Sequence, residues 1–158
     1  MNFQSRWVLV TGASSGLGRE IARDLAVRHR ANLVIVARRL GRLEELAGEL
    51  RAAAGVEVVP IAADLSIEQD VENLFAQATD GRDIYGVVLN AGITHFGEQT
   101  KLEWPRFKAM LATNVTSLVH LVHLFLPYLI EQQQEGGILL VSSMASLVPV
   151  PFQSAYSG

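Results

Sequence analysis

Short β-branched and aliphatic runs alternate along this chain with longer stretches of helical period. Trp7-Val8-Leu9-Val10 is an apolar run that stops at Thr11-Gly12, the pattern of a strand entering a tight turn. From Gly16 to Arg30, Leu17, Ile21, Ala22 and Leu25 recur on one helical face. Leu33-Val34-Ile35-Val36 is a second strand, and Arg38 to Ala54 a second helix with Leu40, Leu43, Leu46, Ala47 and Leu50 inward. Val56 to Ala62 and Tyr85 to Leu89 read as the third and fourth strands. Ser66 with Gln69 predicts a capping box for a helix running to about Thr79. Thr100 with Glu103 predicts another, opening a long helix from about Leu102 that Pro127 is expected to kink or interrupt. Gly136-Gly137 is expected to end that helix, and Ile138 to Val141 is a fifth strand.

Strand and helix in alternation mean parallel strands joined by crossovers, so the expected fold is a doubly wound α/β sheet of Rossmann type. The 158 residues suit a single domain, 1–158. Apolar residues make up 49% and charged residues 18%, as expected of strands covered on both faces. A net charge of -3 gives no basic footprint for nucleic acid or an anionic membrane, and the lack of cysteine excludes thiol chemistry. The start, Met1 to Arg6, has no signal-peptide core. The apolar stretch Leu118 to Ile130 contains His120, His123 and Pro127 and is shorter than the roughly 20 residues a span needs. These features predict a soluble, cytoplasmic protein that does not enter a membrane.

Ligands of such sheets bind at the carboxyl ends of the strands, where the strand order reverses. After the first strand comes Thr11-Gly12-Ala13-Ser14-Ser15-Gly16-Leu17-Gly18. Its glycines allow a sharp turn and close approach of a pyrophosphate to the free N–H groups opening the next helix. Some twenty residues beyond the last glycine, an acidic residue would hold ribose hydroxyls, whereas arginine accommodates a 2′-phosphate. Arg38 stands there with Arg39 beside it, and a guanidinium pairs with phosphate through two hydrogen bonds. The alternative is that both arginines decorate the first turn of a helix, where the dipole disfavours them. The pattern favours NADP(H) over NAD(H).

The T-G-x-x-x-G-x-G spacing from Thr11 to Gly18 resembles that of the short-chain dehydrogenase/reductase family, and the remaining strand ends extend the resemblance. It implies that Gly12, Ser14, Ser15, Gly16, Leu17 and Gly18 cradle the cofactor and that Asp64 and Leu65 line its adenine pocket. Read alone, Asp64 is equally a cap residue beside Ser66. Leu89-Asn90-Ala91-Gly92 is similar to the family's N-N-A-G motif, with leucine first. Asn90 would tie strands together while Ala91 and Gly92 let the backbone approach the cofactor ribose. Asn114 matches the catalytic asparagine thought to hold a water in the proton relay, although by itself it is a polar residue on a long helix. Ser143, at the end of the fifth strand, and Tyr156, thirteen residues on after a loop with Pro149 and Pro151, match the catalytic serine and tyrosine. Free tyrosine has a pKa of about 10, and the family lowers it with a lysine four residues later. Tyr156-Ser157-Gly158 begins that Y-x-x-x-K segment, and the lysine position lies past Gly158.

The resemblance implies an oxidoreductase interconverting a ketone or aldehyde and an alcohol, here as the amino-terminal part of a longer reductase, with the sheet incomplete at its carboxyl-terminal side and this piece inactive alone. A non-catalytic nucleotide-binding or interaction module is the alternative, and Asn114, Ser143 and Tyr156 together argue against it. A methyltransferase is disfavoured by the glycine spacing and the paired arginines. His120 and His123 sit one turn apart without a third ligand and are read as packing or interface residues, not a metal site. The long helix is apolar on more than one face, with Leu118, Val119, Leu121, Val122, Leu124 and Phe125, which predicts a homodimer or homotetramer formed through it. His95, Phe96, Met144 and Gln153 are local candidates for selecting a small-molecule substrate.

Overall fold

The strands sort their side chains by parity, and this builds two cores. A computed structural model describes residues 2–133, 135–148 and 150–157. In it, β1 (Trp7–Thr11), β2 (Asn32–Ala37), β3 (Val58–Ala62), β4 (Ile84–Leu89) and β5 (Gly137–Leu140) form one parallel sheet in the order β3-β2-β1-β4-β5. Val8, Val10, Leu33 and Ile35 face one side, against α1 (Gly16–Val27) and α2 (Leu40–Ala54). Leu9, Val34, Val36, Val87 and Leu89 face the other, against α3 (Glu68–Thr79) and α5 (Ser117–Glu131). Successive strand residues point to opposite faces, so near-continuous apolar runs satisfy both layers. The expected doubly wound α/β sheet is the observed one.

Several local expectations are corrected. Ser66 does not cap α3: its hydroxyl and backbone N–H both donate to Asp64 Oδ1, at 2.7 and 3.0 Å, and the helix begins after Ile67. Thr100 lies in a short 3₁₀ turn, Gln99–Lys101, and α4 (Trp104–Leu111) starts after Glu103 without a side-chain cap. Pro127 does not interrupt α5, which runs through it and stops at Glu131, ahead of Gly136. The irregularity lies instead in a π-helical turn at Ala112–Thr116, joining α4 to α5. Leu17 and Leu40, expected inward, are exposed. Arg38 and Arg39 lie before α2 and not in its first turn.

The joined helix, Trp104–Glu131, spans 28 residues with a mean hydropathy of 1.5 in its most apolar window. By length and composition it could cross a bilayer, which the 118–130 stretch taken alone could not. Leu121, Phe125 and Leu129 are nonetheless buried in the second core, and Tyr128 pins the helix to the start of β4. Its hydroxyl accepts from Ile84 N at 3.2 Å and donates to Arg82 O at 3.0 Å. Beyond β4, β5 is an edge strand with Leu139 and Leu140 exposed.

Candidate functional site

β1 lies between β2 and β4, so the direction of winding reverses across the β1–β4 gap, where such sheets open a crevice. A cleft of about 230 Å³ occupies this place, lined from the ends of β1, β2, β3 and β4. Of the sequence-predicted residues, Gly12, Ser14, Ser15, Arg38, Arg39, Asp64, Leu65, Asn90, Ala91 and Gly92 line it. Gly16, Leu17 and Gly18 lie outside the lining, in the first turn of α1.

The β1 turn is closed by Thr11, the first residue of the glycine motif, to which the sequence alone assigned no role. Thr11 is buried, and its Oγ1 accepts from the backbone N–H groups of Asn90 and Ala91, each at 3.0 Å. The same hydroxyl donates to Val88 O at 3.4 Å. Asn90 Nδ2 donates in return to Thr11 O at 3.1 Å. The signal was present, as Thr11 is the polar residue ending an otherwise apolar run. This lattice forces the glycines. A Cβ on Gly12 would lie 2.8 Å from Asn90 Nδ2, and one on Gly18 would lie 2.5 Å from Gly12 O. Gly12 also holds φ at +72°, a conformation that L side chains disfavour.

At the far end of the cleft, Arg39 Nη2 donates to Ser14 Oγ at 3.2 Å, so β2's end reaches across to the glycine turn. Both arginines are exposed and available to an anion. Burial pushes the Asp64 carboxyl up, but the Ser66 hydroxyl, the Ser66 N–H and the Arg38 charge outweigh it and hold it below its ordinary value. Asp64 is therefore a fixed carboxylate beside Arg38. These features suit a dinucleotide: a tightly packed glycine turn at the start of α1, and the exposed Arg38 and Arg39 guanidiniums at the end of β2.

Asn114 sits inside the π turn, a distortion frequent at functional positions. Its side chain does not simply face solvent. Oδ1 accepts from Ile93 N at 2.9 Å and Nδ2 donates to Ile93 O at 2.8 Å, holding the loop after β4 in two places. Ile93 and Thr113 line the cleft and were also not anticipated from the sequence. Ser143 ends the segment after β5, and its Oγ accepts from Ala145 N at 3.1 Å to open a 3₁₀ turn, Met144–Ser146. Tyr156 is half-buried in the short helix α6 (Ser154–Ser157), which packs against that turn. Neither Ser143, Tyr156 nor Asn114 lines the cleft itself. Pro149 and Gly158 lie outside the described residues.

The loop after β4 and the run before Tyr156 are stapled together. Gly97 N donates to Phe152 O at 2.9 Å, the Phe96 and Phe152 rings lie 5.9 Å apart, and Ser154 Oγ donates to Gln99 Oε1 at 3.3 Å. His95 folds back onto Gly97, with both ring nitrogens buried and without a hydrogen-bond partner among the described residues. Among the described residues no group of three or more His, Asp or Glu is placed to hold a metal.

The family model for short chain dehydrogenases matches residues 6–158. The chain belongs to this family. The chain is 32% identical over 150 residues to the 7beta-hydroxysteroid dehydrogenase of Collinsella aerofaciens, covering 95% of this chain and 56% of the relative. It is 30% identical over 155 residues to the very-long-chain 3-oxoacyl-CoA reductase of Anas platyrhynchos, covering 96% of this chain and 49% of the relative. Among solved structures it resembles the short-chain dehydrogenase of Sphingobium yanoikuyae in complex with NADPH, at 30% identity and a TM-score of 0.88. That match covers 96% of this chain and 59% of the other. The chain thus spans about half the length of the curated relatives it matches. An oxidoreductase of the dehydrogenase/reductase kind is what these matches support.

Proposed function

We propose that this chain carries the cofactor-binding part of an NADP(H)-dependent reductase that interconverts a ketone or aldehyde and the corresponding alcohol. The observation that carries the reading is the joining of the Thr11–Asn90 lattice to Arg38, Arg39 and Ser14 around one cleft. Gly12 and Gly18 let the β1 turn pack against Asn90 and so set the start of α1 where its N–H groups meet a pyrophosphate, while Arg38 and Arg39 hold the 2′-phosphate. Asp64 and Leu65 line the adenine side, and Asn90, Ala91 and Gly92 the ribose on the nicotinamide side. When bound, the nicotinamide supplies the hydride. Tyr156 Oη gives its proton to the carbonyl oxygen as charge develops there, or takes it in the reverse direction. Ser143 Oγ donates a hydrogen bond to the same oxygen and fixes its position. Asn114 positions the loop after β4 through Ile93. The activity is proposed for the protein at its full natural length, in the cytoplasm.

Titration with NADPH and NADH tests the cofactor assignment. The native protein is expected to bind NADPH more tightly, on the order of tenfold or more for a charge-assisted phosphate contact. An Arg38→Ala/Arg39→Ala variant should lose that margin while keeping its NADH affinity. Equal affinities in the native protein would overturn the assignment.

The same reading includes self-association. Leu111, Val115, Val119, Leu126 and Ile130 are exposed along the outer face of α4, the π turn and α5, with no charged residue from Ala109 to Ile130. An apolar stripe of this extent on a helix favours burial against a second copy. Sedimentation velocity is expected to show a dimer or tetramer that a Val119→Glu substitution shifts towards monomer, and a monomeric native protein would contradict the proposal.

A further inference from the structure

At the end of β3 the chain runs out of strand to pair with, and a side chain outside the cleft takes over. Ala63 N donates to Ala37 O at 3.1 Å, and β2 ends at Ala37. The next backbone donor, Asp64 N, goes instead to Asp70 Oδ2 at 2.8 Å. Asp70 does not line the cleft, whereas Asp64 and Leu65 both do. Asp64 is held at its other groups as well. Its carbonyl accepts from Ile67 N at 2.9 Å, and its Oδ1 accepts from the Ser66 hydroxyl and N–H.

An acidic residue in the first turn of a helix is ordinarily explained by the helix itself, through its dipole or a capping bond. Asp70 is the third residue of α3, and Glu68, the first, already complements the dipole. The bond Asp70 makes is not a cap. No side chain caps α3 at Ile67, and Asp70 reaches past that residue to a backbone group six positions earlier, at the strand end. The bond is part-buried, so removing the acceptor leaves Asp64 N short of a partner. What it achieves is to close residues 64–70 onto themselves, so that the Asp64 carboxyl and Leu65 keep one arrangement beside Arg38.

We infer that Asp70 is a positioning residue for the cofactor. Through the Asp64 N–H it holds the Asp64–Leu65 wall of the cleft where the phosphorylated adenosine half of the dinucleotide docks. The inference rests on the proposed NADP(H) reading. Charge alone predicts the opposite sign, because a negative side chain near a polyanionic dinucleotide weakens binding and its removal would tighten it. The conservative amide separates the two effects, since asparagine drops the charge and keeps an acceptor oxygen at the same reach.

The experiment is fluorescence titration of the full-length natural protein and its variants with NADPH, with competition by 2′,5′-ADP, which carries the adenosine half alone. Asp70→Ala is expected to weaken both ligands by the same factor, on the order of tenfold, the scale of one hydrogen bond involving a charged group. Asp70→Asn should bind both as the parent does. Asp70→Ser keeps a polar helix start, but its oxygen stops one bond short of Asp64 N; it should behave like Asp70→Ala and replaces it if the alanine variant does not fold. Thermal unfolding is followed alongside. A lower unfolding midpoint with both affinities of the folded protein unchanged would assign Asp70 a structural role only and overturn the inference. Tighter binding by the alanine and asparagine variants alike would mark a charge effect and overturn it too, as would a loss for NADPH that 2′,5′-ADP does not share. If the parent binds NADPH and every variant matches it, the inference alone falls. If the parent binds neither ligand, the cofactor reading falls with it.

Discussion

Replacing Tyr156 by phenylalanine is expected to lower kcat for carbonyl reduction by about 10²–10⁴-fold, the range for loss of a positioned general acid. The substitution keeps the ring, so α6 and its packing against the Met144–Ser146 turn persist, while the only exchangeable proton on the side chain is lost. NADPH affinity should stay within a few-fold of the parent, because the cleft built from the ends of β1 to β4 does not include Tyr156. Steady-state kinetics at saturating NADPH, with binding followed by nicotinamide fluorescence, separates the two effects. A variant that retains most of its turnover would remove the proton from this residue and with it the proposed mechanism.

Thr11→Val is expected to be the most damaging single change at the cofactor end. Valine matches threonine in shape, so the buried position stays filled, but the hydroxyl that serves three partners disappears. The N–H groups of Asn90 and Ala91 are then left without their acceptor in a part-buried place. Each orphaned donor costs about 1–3 kcal/mol, so the total of about 2–6 kcal/mol is a large part of an ordinary domain's stability. Denaturant unfolding should show this loss at an unchanged m value, and NADPH affinity should fall in parallel as the strand ends drift apart. Thr11→Ser, which keeps the hydroxyl, should recover most of both. Parent-like stability in the valine variant would mean that Thr11 does not hold the two strands together.

The strand ends were legible in the sequence because every one carries a residue type that an interior strand position would reject. Glycine at 12, paired arginines at 38 and 39, and asparagine at 90 all end apolar runs, and all lie where the α/β winding places ligands. The helix boundaries were less legible. Ser66 carries the right hydroxyl for a cap, but Asp64, two residues earlier, offers a stronger charged acceptor and captures it. Pro127 removes one hydrogen bond from a helix whose opposite face is anchored by Leu121, Phe125 and Leu129, and that packing carries the helix through. The π turn escapes a reading based on a period of 3.6, because its extra residue matters only where Asn114 must reach Ile93. Leu17 and Leu40 matched the apolar pattern, yet both lie in the first turn of their helices and end up exposed.

The strand order β3-β2-β1-β4-β5 also sets a timetable for the molecule. The first three strands pair with their neighbours in sequence, so that this part of the sheet closes through single crossover helices, α1 and α2. β1 must keep its other edge open until β4, some 75 residues along the chain, arrives to pair Leu9 with Val87. Until then Thr11 lacks its partners at Val88, Asn90 and Ala91, and a dinucleotide meets only the part of the cleft that the ends of β2 and β3 supply. A growing chain therefore completes its cofactor cleft late. Nucleotide added during refolding stabilises only molecules whose two half-sheets have already met.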